Sequence, residues 1–286
     1  MRKWIALLCS LPVFAGCDFE PYIPAEMETI QQSQVYSEEK ILNADVRFDV
    51  GELEITGGKG MESLYIFNLE YDKSEFEPDV QYNSDSTGEG RLSFSLPRIH
   101  KPGLRKEGFS NSLRLQFNDS IPLDLEVDTE MANTRLSLSG LRVSGVVFES
   151  GVGGAKLFVY EPNPIVCEFV RLKNGVGSID AIGLGNLNFR ELEFEGGVGG
   201  ADLDFTGNWR QDADVRIQVG IGGVHLRIPR SLGVRLETEK YFFREDQLEG
   251  FIQRGIDYYS ENYESAPVKV FMRVATHIGG LKITWV

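Results

Sequence analysis

The sequence predicts an all-β chain: a right-handed, single-chain parallel β-helix with rungs of about 21–24 residues and a more irregular N-terminal half. Three observations carry this prediction. Short glycine-rich motifs recur at a near-constant step. Apolar residues alternate with polar ones on both sides of each motif, as strands with one buried face require. The outward residues of successive copies are mostly of opposite charge, which suits lateral stacking.

In chain order, residues 1–16 read as an export signal. Arg2 and Lys3 form a charged start, and the apolar run from Trp4 to Phe14 is too short to span a bilayer. Residues 17–40 read as a polar tether with room for a strand at its end. Residues 41–128 form an N-terminal region that opens with one copy of the motif, "VRFDVGELEITGG" from Val46. There Val46, Phe48 and Val50 precede a Gly51-Glu52 break, then Leu53 and Ile55 follow. "LYIFNLEY", "DVQYN", "RLSFSLP" and "SLRLQFN" read as antiparallel or irregular strands, and "HKPGLRKEGFSN" from His100 as an exposed loop.

Residues 129–286 hold the repeats. "TEMANTRLSL", "SGVGGAKLFV", "NGVGSIDAI", "GGVGGADLDF", "VGIGGVHLRI" and "THIGGLKITW" centre on Met131, Val152, Val176, Val198, Ile221 and Ile278. The steps between centres are 21, 24, 22 and 23 residues, then 57, so the last gap holds an insertion, placed at 238–267. In each copy, apolar residues alternate up to the central one, a two-residue break follows, and alternation resumes in the opposite phase. The break reads as a corner between two strands, with glycine supplying the backbone angles and the central residue on the buried face. Stacked copies place Lys173 between Glu149 and Glu195, and Glu193 between Arg171 and Arg216. Lys156, Asp180, Asp202 and His225 share another row, and Asp204 faces Arg227, with Asp202 and Asp204 expected to point outward. Two like-charge neighbours run against the pattern, Asp128 with Glu149 and Arg135 with Lys156. A third side of each rung is expected to turn Leu141, Leu187 and Trp209 inward.

Composition narrows function. A net charge of -14 argues against nucleic acid, which needs a clustered basic surface, and against docking on anionic lipid. Of three cysteines, Cys9 leaves with the signal. Ala15-Gly16-Cys17 resembles the lipobox of bacterial lipoproteins, in which the signal is cut before the cysteine and its thiol receives a diacylglycerol. Cys167 is then left without an intrachain partner and reads as a small core residue or an inert, partly exposed one.

The chain as a whole resembles the bacterial toast-rack family, which includes the soluble part of LiaF-like envelope-stress proteins and glycine-rich adhesin-type domains. The resemblance covers roughly residues 42 to 286 and rests on "VGELEITGG", "LEYDKSEFEPDVQY", "IPLDLEVDT", "LSGLRVSGVVFESGVGG", "LGNLNFRELEFEGGVGGADLDFTGNW" and "VGIGGVHLRIPRSLGVRL". It implies an exported or cell-envelope interaction module with no catalytic residues. The chain departs from LiaF-like proteins in carrying a lipoprotein-type signal where they carry transmembrane helices.

Motifs for chemistry fail on inspection. "GVGGAKL" lacks the Gly-Lys pair of a phosphate-binding loop and no helix follows it. "GGVGGADLD" comes near a calcium repeat, but Asp202 sits one place late and the period is wrong. His100, His225 and His277 are too scattered to form a set. The expectation is therefore a cell-envelope lipoprotein that is not an enzyme, needs no cofactor or metal, and binds an envelope protein or glycan. A regulator that senses envelope stress is one alternative, and a carbohydrate-active solenoid enzyme, working through paired carboxylates, is another. Two sites are singled out. One is lipidation at Cys17. The other is the aromatic insertion, in which Tyr241, Phe242, Phe243, Tyr258, Tyr259 and Tyr263 either dock a partner or cap the open end of the solenoid.

Overall fold

Ala213, Val215, Ile217 and Val219 are buried while the Asp214, Arg216 and Gln218 between them face solvent. That alternation makes a strand with one core face, and it recurs along the chain. The computed structural model describes residues 25–99, 110–238 and 248–286. It begins with β1 (Met27–Val35), β2 (Ile41–Phe48), β3 (Val50–Gly58), β4 (Ser63–Asp72), β5 (Asp79–Ser84), β6 (Glu89–Leu96) and β7 (Ser112–Asn118). The repeats follow as β8 (Pro122–Ser137), β9 (Arg142–Val152), β10 (Ala155–Phe158), β11 (Cys167–Val176), β12 (Ile179–Ile182), β13 (Phe189–Val198), β14 (Ala201–Asp204), β15 (Ala213–Ile221) and β16 (Val224–Ile228). Last come β17 (Gly233–Thr238), β18 (Phe251–Arg254), β19 (Asp257–Ser260), β20 (Lys269–Ile278) and β21 (Leu281–Trp285). The only helix among the described residues is a single 3-10 turn, Leu184–Leu187.

Each repeat contributes one strand to each of two faces. On the first face β2, the front half of β8, β9, β11, β13, β15 and β20 stack in parallel. On the second, β3, the back half of β8, β10, β12, β14, β16 and β21 do the same. The copies are in register: Met131, Val152, Val176, Val198, Ile221 and Ile278 pair in succession. The core between the faces is packed with Phe48, Phe94, Phe148, Phe194 and Phe117, all essentially without solvent exposure.

The third side is irregular, and asparagines replace its missing ladder. Asn163 is buried and bridges three rungs, accepting from Val143 N at 3.0 Å and donating to Val143 O at 2.8 Å and Leu187 O at 3.0 Å. Asn186 donates to Val159 O at 2.8 Å and accepts from Asn208 N at 2.9 Å. A side chain with both donor and acceptor can serve backbone groups that have no strand partner. Leu141 and Leu187 are buried there as expected, and Trp209 is half-buried against Phe189 and Phe205.

The structure corrects three expectations. The corner residues do not face the core: all six, from Met131 to Ile278, are exposed. At the apex of a convex bend the core lies on the inner side, so the flanking Val219 and Val224 take the buried positions and Ile221 is turned out. Asp204 is not an outward residue. It is buried and held by Thr206 N at 2.8 Å and Arg227 at 3.3 Å, because the strand is ending and turning inward there. The N-terminal strands, expected to be antiparallel or irregular, include regular parallel ones. β6 lies parallel to β2 and β7 parallel to β3, extending both faces, while β5, β4 and β1 complete the edges antiparallel.

Candidate interaction surfaces

The outer faces are ladders of charge set by strand register. Lys173 lies 3.5 Å from Glu149 and Arg216 lies 3.4 Å from Glu193, as the stacking requires. Both pairs are exposed, so each contributes only about 0–1 kcal/mol. The like-charge neighbours Asp128–Glu149 and Arg135–Lys156 are also present in register. Arg135 is partly relieved by lying over the Phe158 ring, 4.9 Å from its centre.

Phe158 in turn stacks on Tyr160, with centroids 5.7 Å apart and planes inclined by 21°. Tyr160 is 66 % exposed, and Ile182, the register neighbour of Phe158, is exposed as well. Sequence reasoning missed this platform. The signal was available: the row that holds Ser137 and Ile182 places an aromatic pair on an otherwise hydrophilic face.

His225 joins two strands. Its Nδ1 lies 2.6 Å from Asp202 Oδ1 and its Nε2 2.9 Å from Thr284 Oγ1. An acid–imidazole–hydroxyl line resembles a hydrolytic arrangement. Here, however, it lies along a nearly flat sheet surface beside Gly223 and Lys282, where nothing encloses a substrate or excludes water. The line is a cross-strand tie. A further depression is the open trough over Glu52, Glu54, Arg114, Arg135 and Lys156. Among the described residues no cluster of three or more His, Cys, Asp or Glu side chains is arranged to hold a metal. His277 is exposed beside its corner, and Cys167 is buried, with its thiol pushed up to about 12 by burial.

The insertion is built against the last repeat. β17 pairs with β20 in parallel, β19 adds to β17 and β18 to β19, so a hairpin extends the first face past its final rung. Tyr258 packs partly on the core. Tyr259 meets Tyr263 edge-on at 4.9 Å, Arg254 lies over Tyr259, and Lys269 lies over Tyr263. Trp285 on β21 is covered by Phe251, at 5.0 Å, and donates to Glu249 O at 2.7 Å. Tyr241, Phe242, Phe243 and His100 lie outside the described residues, as does Cys17.

A family model described as the N-terminal domain of toast_rack, DUF2154, matches residues 23–181 and 163–227. The chain belongs to the toast-rack family. Solved structures similar to this toast-rack chain include a candidate cell adhesion protein from Clostridium sporogenes, with 16 % identity, TM-score 0.49, 91 % of this chain and 100 % of that one covered. Another is a candidate adhesin, BF0245, from Bacteroides fragilis, with 15 % identity, TM-score 0.41, and 91 % and 97 % covered. Comparison with curated proteins finds no match.

Proposed function

We propose that this toast-rack protein is exported to the bacterial cell envelope, held there through an acylated Cys17, and serves as a non-catalytic interaction module for an envelope protein or glycan. The observation that carries the reading is the exposed Tyr160 stacked on the half-buried Phe158, on an open face beside Arg135 and Lys156. Exposed aromatics next to arginine have the composition of recognition hot spots, and they suit a partner that lies on a surface rather than entering a pocket. In the same proposal the rungs wind right-handed, the hand that parallel strand connections take in nearly all sheets. Tyr241, Phe242 and Phe243 are a second candidate contact.

The test is binding of the exported chain to arrayed bacterial glycans and to cross-linked envelope proteins. Tyr160→Ser with Arg135→Ser should lower affinity for the captured partner about tenfold or more, equivalent to about 1.4 kcal/mol, with no change in melting. Undiminished binding would overturn this face. Release of sugar from an arrayed glycan would turn the reading to the enzyme alternative.

A further inference from the structure

The six corner residues make a ridge. Met131, Val152, Val176, Val198, Ile221 and Ile278 are 44–62 % exposed and sit on neighbouring strands in register. At roughly 4.8 Å per strand the ridge is about 24 Å long. Beyond Met131, which has the exposed Glu130 beside it, the ridge runs through an uncharged band from Val152 to Ile278. Apart from His277, the segments 150–154, 174–178, 196–200, 219–223 and 276–280 hold no titratable side chain, in a chain that is 25 % charged. The band consists largely of the ridge residues and the glycines beside them. Its backbone is already paired between rungs: Gly153 N donates to Val176 O, Gly177 N to Val198 O, Gly199 N to Ile221 O and Gly222 N to Ile278 O, all at 2.8–2.9 Å. Moving such a surface into an apolar medium strands few polar groups.

The N-terminal tether arrives at one end of this ridge. Glu26 N donates to Asp72 Oδ1 at 3.0 Å, Asp72 N to Asn111 Oδ1 at 3.1 Å, and Asn111 Nδ2 to Val50 O at 3.1 Å. Val50 is the register neighbour of Met131. The nine steps from Cys17 to Glu26, where the chain is first held, reach at most about 32 Å, longer than the ridge itself.

We propose that the ridge is a membrane-contact surface: the solenoid lies on its glycine-flanked corner against a zwitterionic bilayer, with the aliphatic side chains dipping into the interface. A convex ridge cannot enclose a small ligand. A second copy is disfavoured by size, since the band is roughly 16 by 19 Å, or about 300 Å², against about 800 Å² per partner in a stable protein contact. A bilayer contact has no such threshold, because the tether supplies the local concentration. The net charge of -14 disfavours anionic lipid. The inference rests on the reading of the chain as an envelope protein.

The experiment uses the exported chain on phosphatidylcholine vesicles, held by its own lipid or, where it carries none, by a histidine tag after residue 17 and a nickel-chelating lipid. Failure of acylation is therefore seen separately. A fluorophore is placed at Val152→Cys or, on the third side, at Asn208→Cys; Cys167 is buried and does not compete. Nitroxide-bearing lipid should quench the Val152→Cys probe several-fold more than the Asn208→Cys probe. Val176→Thr, Val198→Thr and Ile221→Thr together keep the branched shape and should erase the difference without changing the melt. Equal quenching at both positions, or quenching that ignores the threonines, would overturn the proposal. So would a lowered melt, which would make the ridge structural, or a lipid-free dimer that the threonines dissociate.

Discussion

A Cβ placed on Gly199 would stand 1.6 Å from the carbonyl oxygen of Gly177 on the neighbouring rung. The φ of Gly199 is +145°, a conformation side chains rarely adopt, so space and backbone angle both demand glycine. Gly199→Ala should therefore destabilise the protein by about 2 kcal/mol or more. Gly280, in the adjoining position of the last corner, has nothing within 4 Å of its added Cβ. Gly280→Ala should stay within about 0.5 kcal/mol of wild type in urea unfolding. Equal losses at the two sites would contradict the stacking account.

Glu39 offers a pH test. It is buried beside the N-terminal strands, where it accepts from Tyr82 Oη at 2.6 Å, Ser37 N at 2.7 Å and Ser37 Oγ at 2.9 Å. Burial alone would raise its pKa, but these donors outweigh burial and leave it below its ordinary 4.5. A lowered carboxylate pKa stabilises above the unfolded value, and that stabilisation is lost as pH falls through the folded value. Glu39→Gln should cost about 1–3 kcal/mol at pH 7. The gap from wild type should close as unfolding is repeated below pH 4.5. A gap independent of pH would show that shape, not charge, holds this loop.

The hairpin should behave as a cap. Tyr258 packs on the core, Tyr259 and Tyr263 pack on each other, and Ser260 Oγ accepts from Val234 N at 2.9 Å. Serine at Tyr258, Tyr259 and Tyr263 together should lower stability by about 3 kcal/mol or more through lost burial and ring contact. An unchanged melt with lost partner binding would instead make the tyrosines a docking site.

Cys17 is tested by fractionation. Cys17→Ser should move the protein from the membrane to the soluble fraction of exported material and remove the mass of a diacylglycerol from the chain. Membrane retention with an unchanged mass would sink the anchor.

Much of this was legible in the sequence. Val215, Ile217 and Val219 against Arg216 and Gln218 declare a strand by period alone, and the recurrence of "GVGG", "GVGS", "GVGG" and "GIGG" at steps of 24, 22 and 23 residues declares the stack. The partners of Lys173 and Glu193 followed, because a repeat fixes lateral register. Tertiary structure decided what period cannot carry. Ile221 continues the apolar alternation yet faces solvent, since a convex corner turns its apex away from the core. Asp204 continues the polar alternation yet is buried, since its strand ends there and Thr206 N and Arg227 close on it. The ridge and the Phe158–Tyr160 platform are relations between rungs some 20 residues or more apart, or side-chain geometries, that appear only when the chain is coiled. Alternation is a local property of the backbone; whether a face is concave or convex is set by the elements packed behind it.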